Sequence, residues 1–197
     1  MIFKAIDPKE LNINSRELRA RMSAPCDLEN GITARLYSEL VSAAKPAYVA
    51  TRVKLKRQNG EITIGKFNSE SRALIKLCDD CSSVFVLVAT LGVGVDRLIL
   101  KKTLTSKAEA FVTDALADAM IEALCDLAED ELSSELMVKG RVSPGYSDIE
   151  LSLGKELIVL TAADKTLGIK FTESGMMVPQ KSVNALIAIK NADGREE

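Results

Sequence analysis

Histidine is absent from the 197 residues of this chain, and so is tryptophan. The lack of histidine excludes Ser-His-Asp and Cys-His catalysis as well as any metal site that uses imidazole ligands. Proton transfer near neutral pH would therefore need a carboxylate, lysine, cysteine or tyrosine whose pKa is shifted by its surroundings. Aromatic residues make up only 4% of the chain, so a stacking surface for nucleic-acid bases is not expected.

The chain also lacks an excess of positive charge and a long apolar run. Its 26 basic and 28 acidic residues give a net charge of −2, which offers no attraction to nucleic acid or to an anionic membrane. No apolar run approaches the roughly 20 residues of a membrane helix. The first residues, MIFKAIDPKEL, have no apolar run after a basic start and do not read as a signal peptide. We therefore expect a cytoplasmic protein with reduced thiols.

Cysteines are few, and two of the four, Cys78 and Cys81, form a CxxC pair. A second CxxC is missing, so a four-cysteine zinc site would need Cys26 and Cys125 to converge from unrelated places in the sequence. Cys125 lies among apolar residues of a predicted helix, where cysteine usually acts as a small core residue. A redox role for the CxxC pair remains an alternative, and it requires an exposed thiol with a lowered pKa.

The first 80 residues are predicted to form helices and one β-hairpin. Asn14 matches a helix N-cap, and Leu36 and Leu40 belong to an apolar face with helical spacing. Asn59-Gly60 supplies the two positive-φ positions of a tight turn between two runs of alternating residues. The predicted elements are helices over 14–22, 28–45 and 69–78 and a hairpin over 48–67.

The rest of the chain is predicted to contain a buried strand, a long helix and two further strands. Residues 84–91, VFVLVATL, are apolar at consecutive positions, as in a strand covered on both faces. One long helix is predicted from Ser106, which begins a capping box, to about Lys139, with Gly140 as its C-terminal stop. A helix over 152–166 and strands at IKF and SVNALIAI complete the pattern. The apolar face of the long helix is expected to contain Phe111, Ala115, Leu116, Met120, Ala123, Leu124, Leu127 and Leu132.

The GVG stretch at 92–94 lies between the buried strand and a helix, which is the place of a dinucleotide-binding turn. The G-x-G-x-x-G fingerprint requires a third glycine at the position of Arg97. That third glycine permits close packing of helix on strand, and its absence favours a turn that simply needs a flexible backbone.

Glu122 is a candidate binding residue in the middle of the long helix. It lies four residues after Asp118, so the two carboxylates share one helix face. The surrounding apolar residues indicate that this face borders the core, whereas a solvated acidic face is the simpler interpretation of the pattern.

The stretch RVSPGYSD, residues 141–148, is the second candidate. Arg141 offers a planar fork suited to a carboxylate, and Gly145 lets the backbone approach another group closely. Pro144 restricts the residue before it to extended geometry, and Tyr146 adds a ring face and a hydroxyl. From spacing alone, a structural turn and a binding site are equally good interpretations.

Four segments in this order resemble the activation domain of cobalamin-dependent methionine synthase, which binds S-adenosylmethionine. The segments are TLGVGVDRLI, LADAMIEAL, RVSPGYSD and GIKFTESGMMVPQKSV. The likeness is greater to the stand-alone activation-domain proteins that serve synthases lacking this domain, and it covers roughly residues 84–190. The patterns R-x-x-x-G-Y and T-E-S-x-x-M/L-x-P-x-x-S-V are fairly specific in this order, although neither suffices alone.

The resemblance implies roles for individual residues. In the family the arginine of R-x-x-x-G-Y grips the carboxylate of the methionine moiety, which assigns that role to Arg141. The glutamate near the amino group of the ligand corresponds to Glu122. The other implied contacts with S-adenosylmethionine are Gly145 and Tyr146, close to the ligand backbone and sulfonium, together with Pro144 and with Glu173 and Ser174 of the T-E-S segment.

The resemblance also implies a fold and a function. The fold is α+β, with a twisted, mainly antiparallel sheet packed with helices and one long central helix. A single domain spans 1–197, with N-terminal helices and hairpin in 1–80 and the ligand motifs in 82–190. The implied function is S-adenosylmethionine binding in the reductive reactivation of a methionine synthase or related corrinoid methyltransferase. The partner carries the cobalamin, and a flavodoxin-like reductase supplies the electron.

Two departures from the family pattern keep an alternative open. Glu150 stands where the family motif has a proline nine residues after the arginine, and no aromatic pair follows the S-V strand. The alternative is a non-catalytic interaction module of the same fold with a degraded ligand site.

Overall fold

The computed structural model describes residues 1–14, 18–19, 22, 28, 31–133 and 137–190. Most of the helix predicted over 14–22, together with Cys26, lies outside these residues. No helix in the described ranges is long and apolar enough to cross a membrane.

Within the described residues, seven strands form one antiparallel sheet in the order β4-β3-β2-β5-β9-β6, with β1 also paired to β2. Two short strands, β7 and β8, form a separate antiparallel pair. The strands are β1 Ile2–Ala5, β2 Ala47–Gln58, β3 Glu61–Ile64, β4 Phe67–Ser69, β5 Ser83–Thr90, β6 Val138–Val142, β7 Lys170–Phe171, β8 Met177–Val178 and β9 Ser182–Ile189.

The local sequence explains why these strands form. Asn59 and Gly60 have φ of 53° and 83°, so they make the predicted tight turn between β2 and β3. β5 lies between β2 and β9 and is buried along almost its whole length, which confirms the prediction of a strand covered on both faces. The hairpin and the central strand therefore follow directly from turn chemistry and apolar patterning.

Helices cover both faces of the sheet. Helices α1, α3 and α4 pack on one face around residues such as Leu36, Leu87 and Leu116. Helices α2 and α5 pack on the other face around Leu74 and Leu157. The helices are α1 Gly31–Ala43, α2 Arg72–Leu77, α3 Val93–Thr105, α4 Lys107–Ser133, α5 Leu153–Thr161 and α6 Ala163–Thr166, besides a 3-10 turn at Pro8–Glu10.

The long helix α4 ends earlier than the sequence predicts. Its described residues are Lys107–Ser133, and Lys139 and Gly140 belong to strand β6 instead. Gly140 has a φ of 155° at a register shift between β6 and β9, so it is an irregular strand position and not a helix stop. Pairing with β9 overrides the helical propensity of this segment because the ladder satisfies its backbone groups.

The predicted apolar face of α4 is buried or half-buried except for one exposed member. Leu116, Met120 and Leu124 are fully buried, whereas Phe111 is 57% exposed. Phe111 lies in the second turn of the helix and faces outward, so the burial that helical spacing predicted for it is wrong.

Two other features refine the prediction. The helix predicted over 152–166 is broken at Ala162, whose φ of 50° separates α5 from α6 without a glycine or proline. Gly92 has a φ of 81°, as expected for a turn that needs a flexible backbone. Gly94 serves close packing, because a Cβ there would lie 2.3 Å from the carbonyl oxygen of Ala43 in α1. The GVG stretch is thus explained by the packing of α3 on α1.

Candidate functional site

A cavity of about 480 Å³ opens at one edge of the main sheet. The pairing of β6 with β9 ends at Val142 and Leu186, and the cavity lies beyond that point, along the first residues of β9. Ser182, Val183 and Asn184 all line it, although consecutive residues of a strand point to opposite faces. The cavity therefore meets β9 at the edge that faces β6, where the pairing with β6 has ended while the other edge stays paired with β5.

Four of the residues that the family resemblance implies as ligand contacts line this cavity. Glu122 of α4, Arg141 of β6, and Pro144 and Tyr146 of the following loop all contribute to its wall. Gly145 lies between the last two with a φ of 87°, which a residue with a side chain rarely adopts.

Glu173 and Ser174 lie outside the cavity wall, exposed in the loop between β7 and β8. The hydroxyls of Ser174 and Thr172 are 2.8 Å apart and hydrogen bond within this loop. The next residues, Gly175 and Met177, reach the wall instead. In this structure Glu173 and Ser174 therefore do not line the cavity, whereas residues that follow them do.

Arg141 forms the charged end of the cavity with a group of carboxylates from α4. Its Nη2 atom donates to Glu122 Oε2 at 3.0 Å and to Asp126 Oδ1 at 2.9 Å. Its Nη1 atom lies 3.5 Å from Glu129 Oε2 and is buried without a hydrogen-bond acceptor among the described residues. Burial raises the pKa of Glu129, and the charge of Arg141 acts against that rise. The guanidinium is therefore held in place by the carboxylates of α4, and its Nη1 atom is left without a hydrogen bond to any described residue.

A second cation also pairs with carboxylates of α4. Lys181, the residue before β9, lies 2.6 Å from Asp118 and 2.8 Å from Asp114. Asp118 thus pairs with a lysine beside the cavity and is not part of its wall. The acidic face is therefore not fully solvated, because Arg141 and Lys181 pair with its carboxylates.

The loop that carries Pro144 and Tyr146 is anchored to the start of α2. The carboxylate of Asp148 accepts hydrogen bonds from Ser71 Oγ at 2.6 Å, from Arg72 N at 2.7 Å and from Ala73 N at 3.2 Å. These bonds, the one from Ser71 foremost, hold the pKa of Asp148 below its usual range. The loop is fixed against a helix N-terminus, where a carboxylate is favourable.

Glu150 provides a second anchor for the same loop. Its Oε2 atom accepts a hydrogen bond from Ser69 Oγ of β4 at 2.8 Å. Glu150 is the residue that stands in place of the family proline. In this chain the side chain of Glu150 attaches the loop to β4, so the glutamate at this position has a structural role.

The other end of the cavity is largely apolar and lies on the side of α5, where Phe171 and Met177 pack with Ile158. Leu151, Phe171 and Met177 line it together with Asn184, which is only 6% exposed. Asn184 Nδ2 donates to the thioether sulfur of Met177 at 3.4 Å. The sequence analysis did not identify these residues. The one sequence feature that could have pointed to them is an asparagine inside the mostly apolar strand SVNALIAI.

The CxxC pair does not have the properties that a redox role requires. Cys78 and Cys81 are both buried, and burial raises the pKa of both thiols, that of Cys78 to about 12. Cys125 is buried as well. In the described part of the chain no group of three or more histidine, cysteine or carboxylate residues is placed to hold a metal ion. The redox alternative is therefore wrong for this pair, and Cys26 lies outside the described residues.

A solved structure among those that match this chain covers its whole length. It is described as the MetH reactivation domain bound to AdoHcy, and the match covers 100% of this chain and 81% of that chain with a TM-score of 0.68 and 16% identity. No family model matches the sequence, and no curated protein sequence matches it. The structural likeness shows the fold, an α+β domain with a mainly antiparallel sheet and one long helix, as the sequence resemblance implied.

Proposed function

We propose that this chain binds S-adenosylmethionine in the cavity and supports reductive reactivation of a cobalamin-dependent methionine synthase or a related corrinoid methyltransferase. The observation that carries the proposal is the pairing of Arg141 with Glu122 in the wall of the cavity. It occurs in a fold whose solved relative is described as bound to AdoHcy. The sequence resemblance assigns the same two residues to the amino-acid part of the ligand.

The charges of the cavity fit an amino-acid zwitterion. A carboxylate needs a cationic fork, which Arg141 supplies, and an ammonium group needs an anion, which Glu122 supplies. The two side chains are adjacent, as the two charges of an α-amino acid are. The cavity of about 480 Å³ is within the range of ligand sites for small molecules.

The ion pairs of the free protein do not block this mode of binding. A guanidinium has five N–H donors, and two of the observed contacts use the same nitrogen, Nη2 of Arg141. The buried Nη1 atom lacks a hydrogen-bond acceptor in the described part of the chain, and it can pair with a ligand carboxylate once the guanidinium turns toward the cavity. Glu122 can turn to the ligand ammonium while Asp126 keeps its contact with Arg141.

The proposed task of this chain is to bind and orient the methyl donor. S-adenosylmethionine supplies a methyl group already activated as a sulfonium, and its acceptor is the reduced cobalamin of a partner protein. Tyr146, 69% exposed at the cavity mouth, offers a ring face for the sulfonium. No general base is required, which agrees with a chain that contains no histidine.

A methyl-transfer assay tests the proposed role. A corrinoid methyltransferase without its own activation domain is inactivated by oxidation and mixed with a reductase and methyl-labelled S-adenosylmethionine. We expect label on the cobalamin only when this chain is added, and at least about tenfold less with Arg141→Gln. Arg35→Gln is the matched control, because Arg35 also pairs with two carboxylates, Glu39 and Glu109, outside the cavity wall. No transfer with the wild-type chain contradicts the proposed role.

The interaction module is the second candidate, and one observation favours it. Tyr146 and Leu151 of the cavity wall are large, exposed side chains, and so are Met176 and Val178 on either side of the wall residue Met177. Exposed apolar side chains that cluster around a cleft are typical of protein-binding surfaces. A chain that binds a corrinoid protein in sedimentation experiments but binds no S-adenosylmethionine would support this second function over the first.

A further inference from the structure

The two ends of the cavity have opposite chemical character. Arg141 and Glu122 make one end charged, while Leu151, Phe171 and Met177 make the other apolar. The adenosyl ligand has the same division, with a zwitterion at one end and a flat base at the other. Since the proposed function places the amino-acid part at Arg141, the base is left to the apolar end.

Asn184 is the exceptional residue of the apolar end. It lies inside β9 and is buried, yet the hydrogen bond that its amide nitrogen makes goes to the sulfur of Met177 at 3.4 Å. A thioether is a weak acceptor, so the buried Nδ2 donor of Asn184 has exchanged strong hydrogen bonds to water for a weak one. A purely structural asparagine in a strand core would be expected to have a stronger partner.

A glycine in α5 lets Asn184 and Phe171 lie next to each other in the cavity wall. Asn184 and Phe171 both lie against Gly154 of α5, where a Cβ would be 2.9 Å from Asn184 Nδ2 and 3.3 Å from Phe171 Cζ. Glycine at this position therefore lets both side chains occupy the wall of the cavity. Phe171 presents an aromatic ring beside the amide, in a chain that has no aromatic pair after the S-V strand.

We infer that Asn184 recognises a 6-aminopurine ring, which makes the apolar end of the cavity an adenine subsite. The inference rests on the proposed function. The side-chain amide has an acceptor and a donor side by side, which match the amino group and an adjacent ring nitrogen of adenine. Phe171 packs on the base, and Met177 gives up its contact with the amide when the base enters.

The test compares two ligands that differ in one group. S-adenosylhomocysteine and its analogue without the 6-amino group are titrated into the wild-type protein and into Asn184→Val. Valine suits a buried strand position and removes both hydrogen-bonding atoms. We expect the wild type to prefer the 6-amino ligand by roughly tenfold or more, and the variant to bind both within about twofold.

The Arg141→Gln variant separates this inference from the proposed function. It should weaken both ligands by the same factor and leave the preference for the amino group unchanged, because Arg141 lies at the other end of the cavity. Equal binding of both ligands by the wild type would overturn the adenine subsite and leave the proposed function standing. Failure of the wild type to bind S-adenosylhomocysteine at all would overturn both.

A second substitution guards against a folding defect in Asn184→Val. Phe171→Leu keeps an apolar side chain but removes the ring that packs on the base. It should weaken both ligands to a similar extent without removing the preference for the amino group, because Asn184 is intact. Loss of the preference in Phe171→Leu would assign the discrimination to the ring and contradict the role of Asn184.

Discussion

Glu122 of α4 and Arg141 of β6 are joined by a hydrogen bond of 3.0 Å between Oε2 and Nη2, although 19 residues separate them in the sequence. The contact links the long helix to β6, an edge strand of the sheet, at the wall of the cavity. It places an anion and a cation side by side where the proposed ligand carries opposite charges. The binding predictions below depend on this pair.

The first prediction compares two carboxylates that both contact Arg141. Glu122 lines the cavity, whereas Asp126 is mostly exposed and outside its wall. Glu122→Gln should weaken S-adenosylmethionine binding by roughly tenfold or more, because it removes the anion that faces the ligand ammonium. Asp126→Asn should change binding by less than about threefold, since exposed ion pairs contribute little. Isothermal titration calorimetry distinguishes the two, and equal losses would remove the ligand contact from Glu122.

The second prediction concerns the anchor of the Pro144–Tyr146 loop. Asp148→Asn should lower the melting temperature by a few degrees, because the carboxylate accepts hydrogen bonds from Ser71, Arg72 and Ala73 at the start of α2. Asp79→Asn, an exposed carboxylate of the same region, is the control and should have little effect. Thermal unfolding followed by circular dichroism gives both values at pH 7.

The same variant has an expected pH dependence. The pKa of Asp148 is lower in the folded chain than in the unfolded chain, chiefly because of the hydrogen bond from Ser71. Its contribution to stability is therefore fully present above the unfolded pKa of about 4 and is lost as the pH falls through the folded pKa. The difference in melting temperature between wild type and Asp148→Asn should shrink when the pH is lowered from 6 to below about 3.5. A constant difference would contradict the assignment of the lowered pKa.

The third prediction tests why glycine occupies position 94. A Cβ there would lie 2.3 Å from the carbonyl oxygen of Ala43, a backbone atom that cannot rotate away. Gly94→Ala should therefore destabilise the protein by about 1–3 kcal/mol, the usual range for overpacking. The exposed neighbour Val93→Ala is the control and should change stability little. Urea unfolding measures both, and an unchanged midpoint for Gly94→Ala would contradict the close approach of α3 to α1.

The fourth prediction concerns the thiols. Cys78, Cys81 and Cys125 are buried, and burial raises the pKa of each, so the reactive thiolate form is scarce at neutral pH. Iodoacetamide at pH 7.5 should leave these three unmodified in the folded protein and modify them after denaturation, as read by peptide mass spectrometry. Rapid labelling of Cys78 or Cys81 in the native state would restore the redox interpretation of the CxxC pair.

Local chemistry predicted part of the fold correctly. The turn at Asn59-Gly60 needs only positive-φ residues between alternating runs, and the strand Ser83–Thr90 needs only consecutive apolar residues. The end of α4 was predicted wrongly because nothing near Ser133 interrupts a helical pattern. Strand β6 exists because β9 pairs with it, and a partner nearly fifty residues away leaves no local signal.

The candidate site was predictable to a smaller extent. Arg141 and Glu122 came from the family resemblance, and the structure brings them together. Asn184 and Phe171 were not identified, because whether a strand residue lines a cavity depends on where the neighbouring strand ends. The contact of Glu150 with Ser69 likewise joins distant segments, so the sequence alone revealed only that position 150 lacks the proline of the family pattern.

The most direct test of the central claim is the affinity of S-adenosylmethionine for three forms of the protein, measured by isothermal titration calorimetry. The forms are wild type, Arg141→Gln and the control Arg35→Gln, which loses ion pairs of a similar kind outside the cavity wall. We predict saturable binding to wild type and to Arg35→Gln, and binding weakened by roughly thirtyfold or more in Arg141→Gln. Equal affinities in all three, or no binding to wild type, would contradict the assignment of this cavity as an S-adenosylmethionine site.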